Sequence, residues 1–120
     1  MFIFSRSNLS SDKLFNNILT IMLSKKFTPK RTVCKVTFTM PANVAKEQVA
    51  IAGEFNDWNP TDHLLEKKKD TYQIELRLKP EQSYRFKYLI DNELWENDYA
   101  ADEYISNEFG TEDSVVIIGN

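Results

Sequence analysis

Ala52-Gly53-Glu54-Phe55-Asn56-Asp57-Trp58-Asn59-Pro60 is the end of an apolar strand running into a polar turn. Asn, Asp and Pro favour a loop over continued strand, so a large flat ring, Trp58, is held among turn-forming residues. A tryptophan in such a place either plugs the end of a core or offers a flat surface to a ligand.

Working upstream, Gln48–Phe55 reads as a strand rich in small residues (Ala50, Ala52, Gly53), the composition of a tightly packed central strand. Pro41-Ala42-Asn43 separates it from a segment of period two that begins at Thr32. There Cys34, Val36, Phe38 and Met40 share one face and Val33, Lys35, Thr37 and Thr39 the other, as in a half-buried strand. Downstream, His63–Lys67 reads as a short strand and Lys68-Lys69-Asp70 as a solvated turn. Thr71–Leu78 alternates cleanly, with Tyr72, Ile74, Leu76 and Leu78 inward. After the turn Lys79-Pro80-Glu81-Gln82, the residues Tyr84, Phe86, Tyr88 and Ile90 share a face opposite Arg85 and Lys87. Asp91-Asn92 suits a tight hairpin that needs positive φ, and the chain returns through Glu93-Leu94-Trp95. Polar sequence runs to Asn107, and Asp113–Ile118 is read as the last strand. Short strands separated by turns, with no helical periodicity past residue 31, predict an all-β, immunoglobulin-like antiparallel sandwich over residues 32–120.

Residues 1–31 read as an N-terminal extension, helical or disordered. Ser10-Ser11-Asp12 is a candidate cap for a helix bearing Leu14, Phe15, Ile18, Leu19 and Met22. The apolar run Ile18–Leu23 is too short to span a membrane, and no small-residue cleavage site follows it. A further reading starts the biological protein at Met22, with 1–21 as upstream sequence; deletion of 1–21 is then expected to leave the melting temperature nearly unchanged.

The chain's 120 residues, 42% hydrophobic with 12% aromatic, suffice for one domain with a real core. A net charge of -3 with no basic stripe argues against a nucleic-acid partner. The single cysteine, Cys34, excludes an internal disulfide, fits a reducing, cytoplasmic compartment, and reads as a buried thiol rather than a nucleophile.

Trp95 lies just past a hairpin as Trp58 lies just past a strand, and Lys87 is on the outward face of the strand between them. A pyranose has a C–H-rich face and a rim of hydroxyls, so it stacks on an indole and takes hydrogen bonds from charged or amide groups at its edge. The alternative for each tryptophan is to cover an open end of the sandwich. Asp91, Glu93, Glu96, Asp98, Asp102 and Glu103 raise the question of a glycosidase pair. A small single sandwich has little from which to build the required cleft, and these residues are read as solvated turn positions. The acidic run lacks a calcium-loop glycine, His63 has no cysteine cluster to make a zinc site, and no phosphate-cradling glycine loop occurs. No metal, no cofactor and no catalytic residue is expected.

Three ordered motifs, Val49–Trp58, Tyr84-Arg85-Phe86-Lys87-Tyr88-Leu89-Ile90-Asp91, and Phe109-Gly110-Thr111 before the last apolar strand, resemble carbohydrate-binding module family 48. That family includes the glycogen-binding domain of AMP-activated protein kinase β subunits and the early-set domains of isoamylases and branching enzymes. The resemblance spans residues 32–118 and is greatest to small stand-alone bacterial early-set proteins. There Trp95-Glu96-Asn97-Asp98 and Asn107-Glu108-Phe109-Gly110 also recur, and a start like Met22-Leu23-Ser24-Lys25-Lys26-Phe27 is usual. It implies sugar stacking on Trp58 and Trp95, hydrogen bonding by Lys87, a reach into the glucan curve by Phe109, and a hydroxyl donor at Thr111. Asp113 stands where the family has asparagine, and a carboxylate accepts but does not donate as an amide does. The implied function is non-catalytic binding of α-1,4-glucan. The alternative is a protein-interaction module that docks in trans onto a glycan-processing enzyme of the glycoside hydrolase family 13 type.

Overall fold

The computed structural model describes residues 23–119. The expected helix at 10–22 and the proposed start at Met22 lie outside them. Two antiparallel sheets face each other. The first has the order β1-β2-β5-β4, from strands Leu23–Phe27, Cys34–Pro41, Thr71–Leu78 and Glu66–Lys67. The second has the order β3-β6-β9-β8, from Val49–Gly53, Gln82–Ile90, Glu112–Ile118 and Glu103–Ser106. The short β7, Leu94–Glu96, also pairs with β6. The architecture is the all-β sandwich that the alternation predicts.

Side-chain parity places the core. Cys34, Val36, Phe38 and Met40 of β2 meet Phe86, Tyr88 and Ile90 of β6 between the sheets, joined by Tyr72, Leu76 and Leu78 of β5. Phe38 and Phe86 pack edge to face at 5.1 Å between ring centroids, a geometry favoured by the ring quadrupole. Gly53, at the end of β3, crosses β6 so closely that a Cβ there would lie 2.4 Å from the Arg85 carbonyl oxygen.

Four local arrangements differ from the expectations. Val49–Gly53, read as a central strand, ends its sheet's order, with the single Ala50↔Leu64 bridge on its far side. Leu23–Phe27, read as part of the extension, pairs with β2 from Leu23↔Phe38 to Phe27↔Cys34. Glu103–Ser106, read as irregular, pairs with β9. The segment read as one strand at His63–Lys67 changes sheets instead. The Ile51 N–H donates to His63 O and the Leu65 N–H to Val49 O beside β3, while Glu66 and Lys67 pair with β5.

Tight turns set the registers. Asp91 and Asn92 have φ of 52° and 60° and the Glu93 N–H donates to Ile90 O at 3.0 Å, the tight positive-φ turn that the sequence predicts, with Asp91, Asn92 and Glu93 between the paired Ile90 and Leu94. The Asp91 carboxylate also accepts from the backbone N–H groups of Lys46, Glu47 and Gln48. These hydrogen bonds hold its pKa below the usual carboxylate value.

Candidate carbohydrate site

The outer face of the five-stranded sheet carries the site. On β6, Arg85 and Lys87 point away from the core because Phe86 and Tyr88 point into it. Three loops or strand ends then raise walls around them.

The first wall is the turn after β3. Asn56 is buried there, and its Oδ1 accepts from the Gly53 N–H while its Nδ2 donates to Ile51 O and to His63 Nδ1. This ties the chain into a 3-10 turn, after which Asp57 and Trp58 both adopt left-handed backbone, φ 54° and 58°. The two aromatic residues of the turn therefore part company. Phe55 packs on the core against Phe38 and Phe86, and Trp58 stays 37% exposed. Phe55 is the plug and Trp58 the surface.

The second wall is β7. Trp95 pairs with Leu89 on the outward side of β6, so its ring is 43% exposed. Its neighbour Glu96 turns inward, opposite Tyr88. Burial raises the Glu96 pKa against the pull of Lys87, and its Oε2 has no partner among the described residues.

The third wall is the loop from β8 to β9, organised by Asn107. Its Oδ1 accepts from the Phe109 and Thr111 N–H groups, and its Nδ2 donates to Thr111 Oγ1 at 2.8 Å and Asp113 Oδ1 at 2.9 Å. Gly110 takes φ 81° in the same turn, leaving Phe109 82% exposed at the tip. Lys87 Nζ donates to Thr111 Oγ1 at 3.2 Å. With Asn107 and Lys87 both donating to that oxygen, the Thr111 hydroxyl proton is directed elsewhere and remains a donor.

The fourth element is the floor. Asp113 is buried, with its Oδ2 3.6 Å from Arg85 Nη1. The Glu54 carboxylate accepts from the Arg85 backbone N–H at 2.8 Å, just beyond the β3 ladder.

The structure brings Trp58, Lys87, Trp95, Phe109, Thr111 and Asp113 to one groove of about 840 Å3, also lined by Arg85 and Glu54. That size falls among the clefts of roughly 300–1000 Å3 that hold small ligands. Sequence reasoning missed Arg85, whose outward position was legible but whose pairing with Asp113 was not. Asn107 appeared only as part of a recurring motif.

Of the carboxylates read as solvated turn residues, Glu93 is an exposed turn residue as expected, whereas Asp98 is corrected by the structure. Asp98 is fully buried, accepting from the Tyr88 hydroxyl at 2.8 Å and from the Ala100 N–H. Desolvation pushes its pKa up to about 6. Its own N–H donates to Ser114 Oγ, and Ser114 Oγ donates to Asn97 Oδ1, which fastens the end of β7 to β9. Asp102 accepts from Lys25 Nζ at 2.6 Å and from the Ile117 N–H.

Residues 35–119 match the family described as the glycogen recognition site of AMP-activated protein kinase. The chain belongs to that family. The match covers the sandwich from β2 to the end of β9 and agrees with the carbohydrate-binding module resemblance of the three motifs. A comparison with curated proteins returns no match. Within the glycogen recognition family, the Asp113–Arg85 pair fills the place where the resemblance leads one to expect an asparagine amide.

Proposed function

We propose that this chain is a non-catalytic module that binds α-1,4-linked glucan, such as glycogen or malto-oligosaccharide. The observation that carries the proposal is the convergence of two half-exposed indoles, one lysine and one undirected hydroxyl proton on a single groove. Indole faces take the C–H faces of glucose units, while Lys87 and Thr111 donate to hydroxyls at their edge. Phe109, standing free at the loop tip, adds an apolar contact from the third side. Four of the acidic residues considered as a glycosidase pair or groove lining are committed to the fold: Asp91 to backbone N–H groups, Asp98 to Tyr88, Asp102 to Lys25 and Asp113 to Asn107.

Binding at one groove is expected to be weak, roughly micromolar to millimolar, because an open site buries little of the ligand and ordering the glucan opposes association. Trp58→Ala or Trp95→Ala is expected to cost on the order of 2 kcal/mol of binding with little change in stability. Affinity electrophoresis in a glycogen-containing gel tests this, and equal retention of wild type and both variants refutes it.

A further inference from the structure

We propose that Arg85 reads hydroxyls of the bound glucan and that Asp113 is a positioning residue for it, not a ligand contact. The inference rests on the glucan reading of the groove. Asp113 has a side chain only 9% exposed; its Oδ1 accepts from Asn107 Nδ2 at 2.9 Å and its Oδ2 faces Arg85 Nη1 at 3.6 Å. Burial leaves little of this carboxylate for a sugar hydroxyl to reach, and it has no proton to donate. Arg85 is the reverse case. Its side chain is 36% exposed and lines the groove. At 3.6 Å its ion pair is longer than a hydrogen bond, and its guanidinium makes no hydrogen bond among the described residues. A guanidinium has five N–H donors in a planar fork, so this one keeps donors for a ligand.

The backbone around Arg85 is fixed. Its N–H is held by Glu54 and it pairs with Val115 on β9. Arg85 and Lys87 stand two residues apart on one strand face, their Cα atoms about 6.6 Å apart, and both side chains line the groove. Glu54, Glu108 and Asp113 outnumber the two cations among the lining residues, so the site has no excess positive charge with which to select an anion. Arg85 therefore serves neutral hydroxyls. The donor that an asparagine would supply from β9 is supplied here from β6, by a residue whose orientation Asp113 sets.

The test is calorimetric titration of the full chain with maltoheptaose, using wild type, Trp58→Ala, Arg85→Met, Asp113→Asn and the Arg85→Met/Asp113→Asn double variant, each checked by thermal melting. The double variant carries no unpaired buried carboxylate, so its binding can be read even if Arg85→Met alone fails to fold. Arg85→Met is expected to weaken binding about tenfold and Asp113→Asn about threefold. The double variant should bind as Arg85→Met does, or about tenfold below wild type, because Asp113 acts only through Arg85. Wild-type affinity in Arg85→Met or the double variant, alongside a loss in Trp58→Ala, overturns this inference alone. So does a double variant weakened by the product of the two single losses, since Asp113 then touches the ligand itself. No binding by wild type, or full affinity in Trp58→Ala, overturns the glucan reading and this inference with it.

Discussion

At the scale of single residues, the turn after β3 depends on one hydrogen atom. Gly53 has extended backbone, φ -171°, so left-handed freedom is not what it supplies. It supplies room: a Cβ would sit 2.4 Å from the Arg85 carbonyl oxygen and 2.7 Å from the Phe86 Cβ. Neither obstacle is the flexible end of a side chain. Gly53→Ala is therefore expected to destabilise the fold by roughly 2–3 kcal/mol, as overpacking does, measured by urea denaturation. An unchanged midpoint would show that β3 and β6 can slide apart at no cost. The strand-to-turn transition around Trp58 was legible in the sequence, because Asn, Asp and Pro cluster there. The division of labour between Phe55 and Trp58 was not, since it follows from the left-handed backbone at residues 57 and 58. Asp98 was misread for a related cause. Its burial depends on Tyr88 and Ser114, which lie 10 and 16 residues away in sequence and give no local signal.

At the scale of elements, the strands that alternate strongly were all legible and the weakly alternating edges were not. Strands β2, β5 and β6 bury one face each against the other sheet, so period two is written in their composition. Edge strands β1 and β8 contain no fully buried residue. Their pairing is carried by backbone hydrogen bonds, to which side-chain pattern is nearly blind. The link from β7 to β8 is also set by a buried group. Asp98 accepts from Tyr88 and Ala100, its backbone oxygen accepts from the Tyr104 hydroxyl, and Asp102 adds a like charge nearby. With a folded pKa of about 6 against an ordinary value of 3.8, the folded chain holds this proton more tightly than the unfolded chain between those values. Stability from this group therefore rises as pH falls through 6 and is lost as pH rises. Relative to Asp98→Asn, wild type is expected to gain about 1 kcal/mol between pH 7 and pH 5. Urea melts of both proteins at the two pH values check this; parallel pH profiles would show that Asp98 is ionised in the fold at both.

At the scale of the whole molecule, β1 and the β8 end of the second sheet are tied across the sandwich. Lys25 Nζ donates both to Asp102 and to the Ile117 carbonyl oxygen, joining the two sheets at their edges. This defines how far the chain can be trimmed. Removing residues 1–21 leaves every strand from Leu23 onward in place, and the melting temperature is expected to move by less than about 2 °C, within what surface changes produce. Removing residues 1–31 takes β1 and Lys25 as well, and a clear drop is expected. Differential scanning calorimetry of the two truncations separates the cases, and equal melting temperatures would mean that β1 adds nothing to the sandwich.

The short connection from Asp91 to Glu93 has a consequence for ligand binding far greater than its size. Side chains on a strand change sides at every step, so the length of that connection decides which surface Trp95 looks out upon. One extra residue inserted there would shift the frame of β7 by a single step and send the indole inward, with Glu96 turned out in its stead. A protein altered in this way would have lost one wall of its groove and, with it, a stacking surface for sugar.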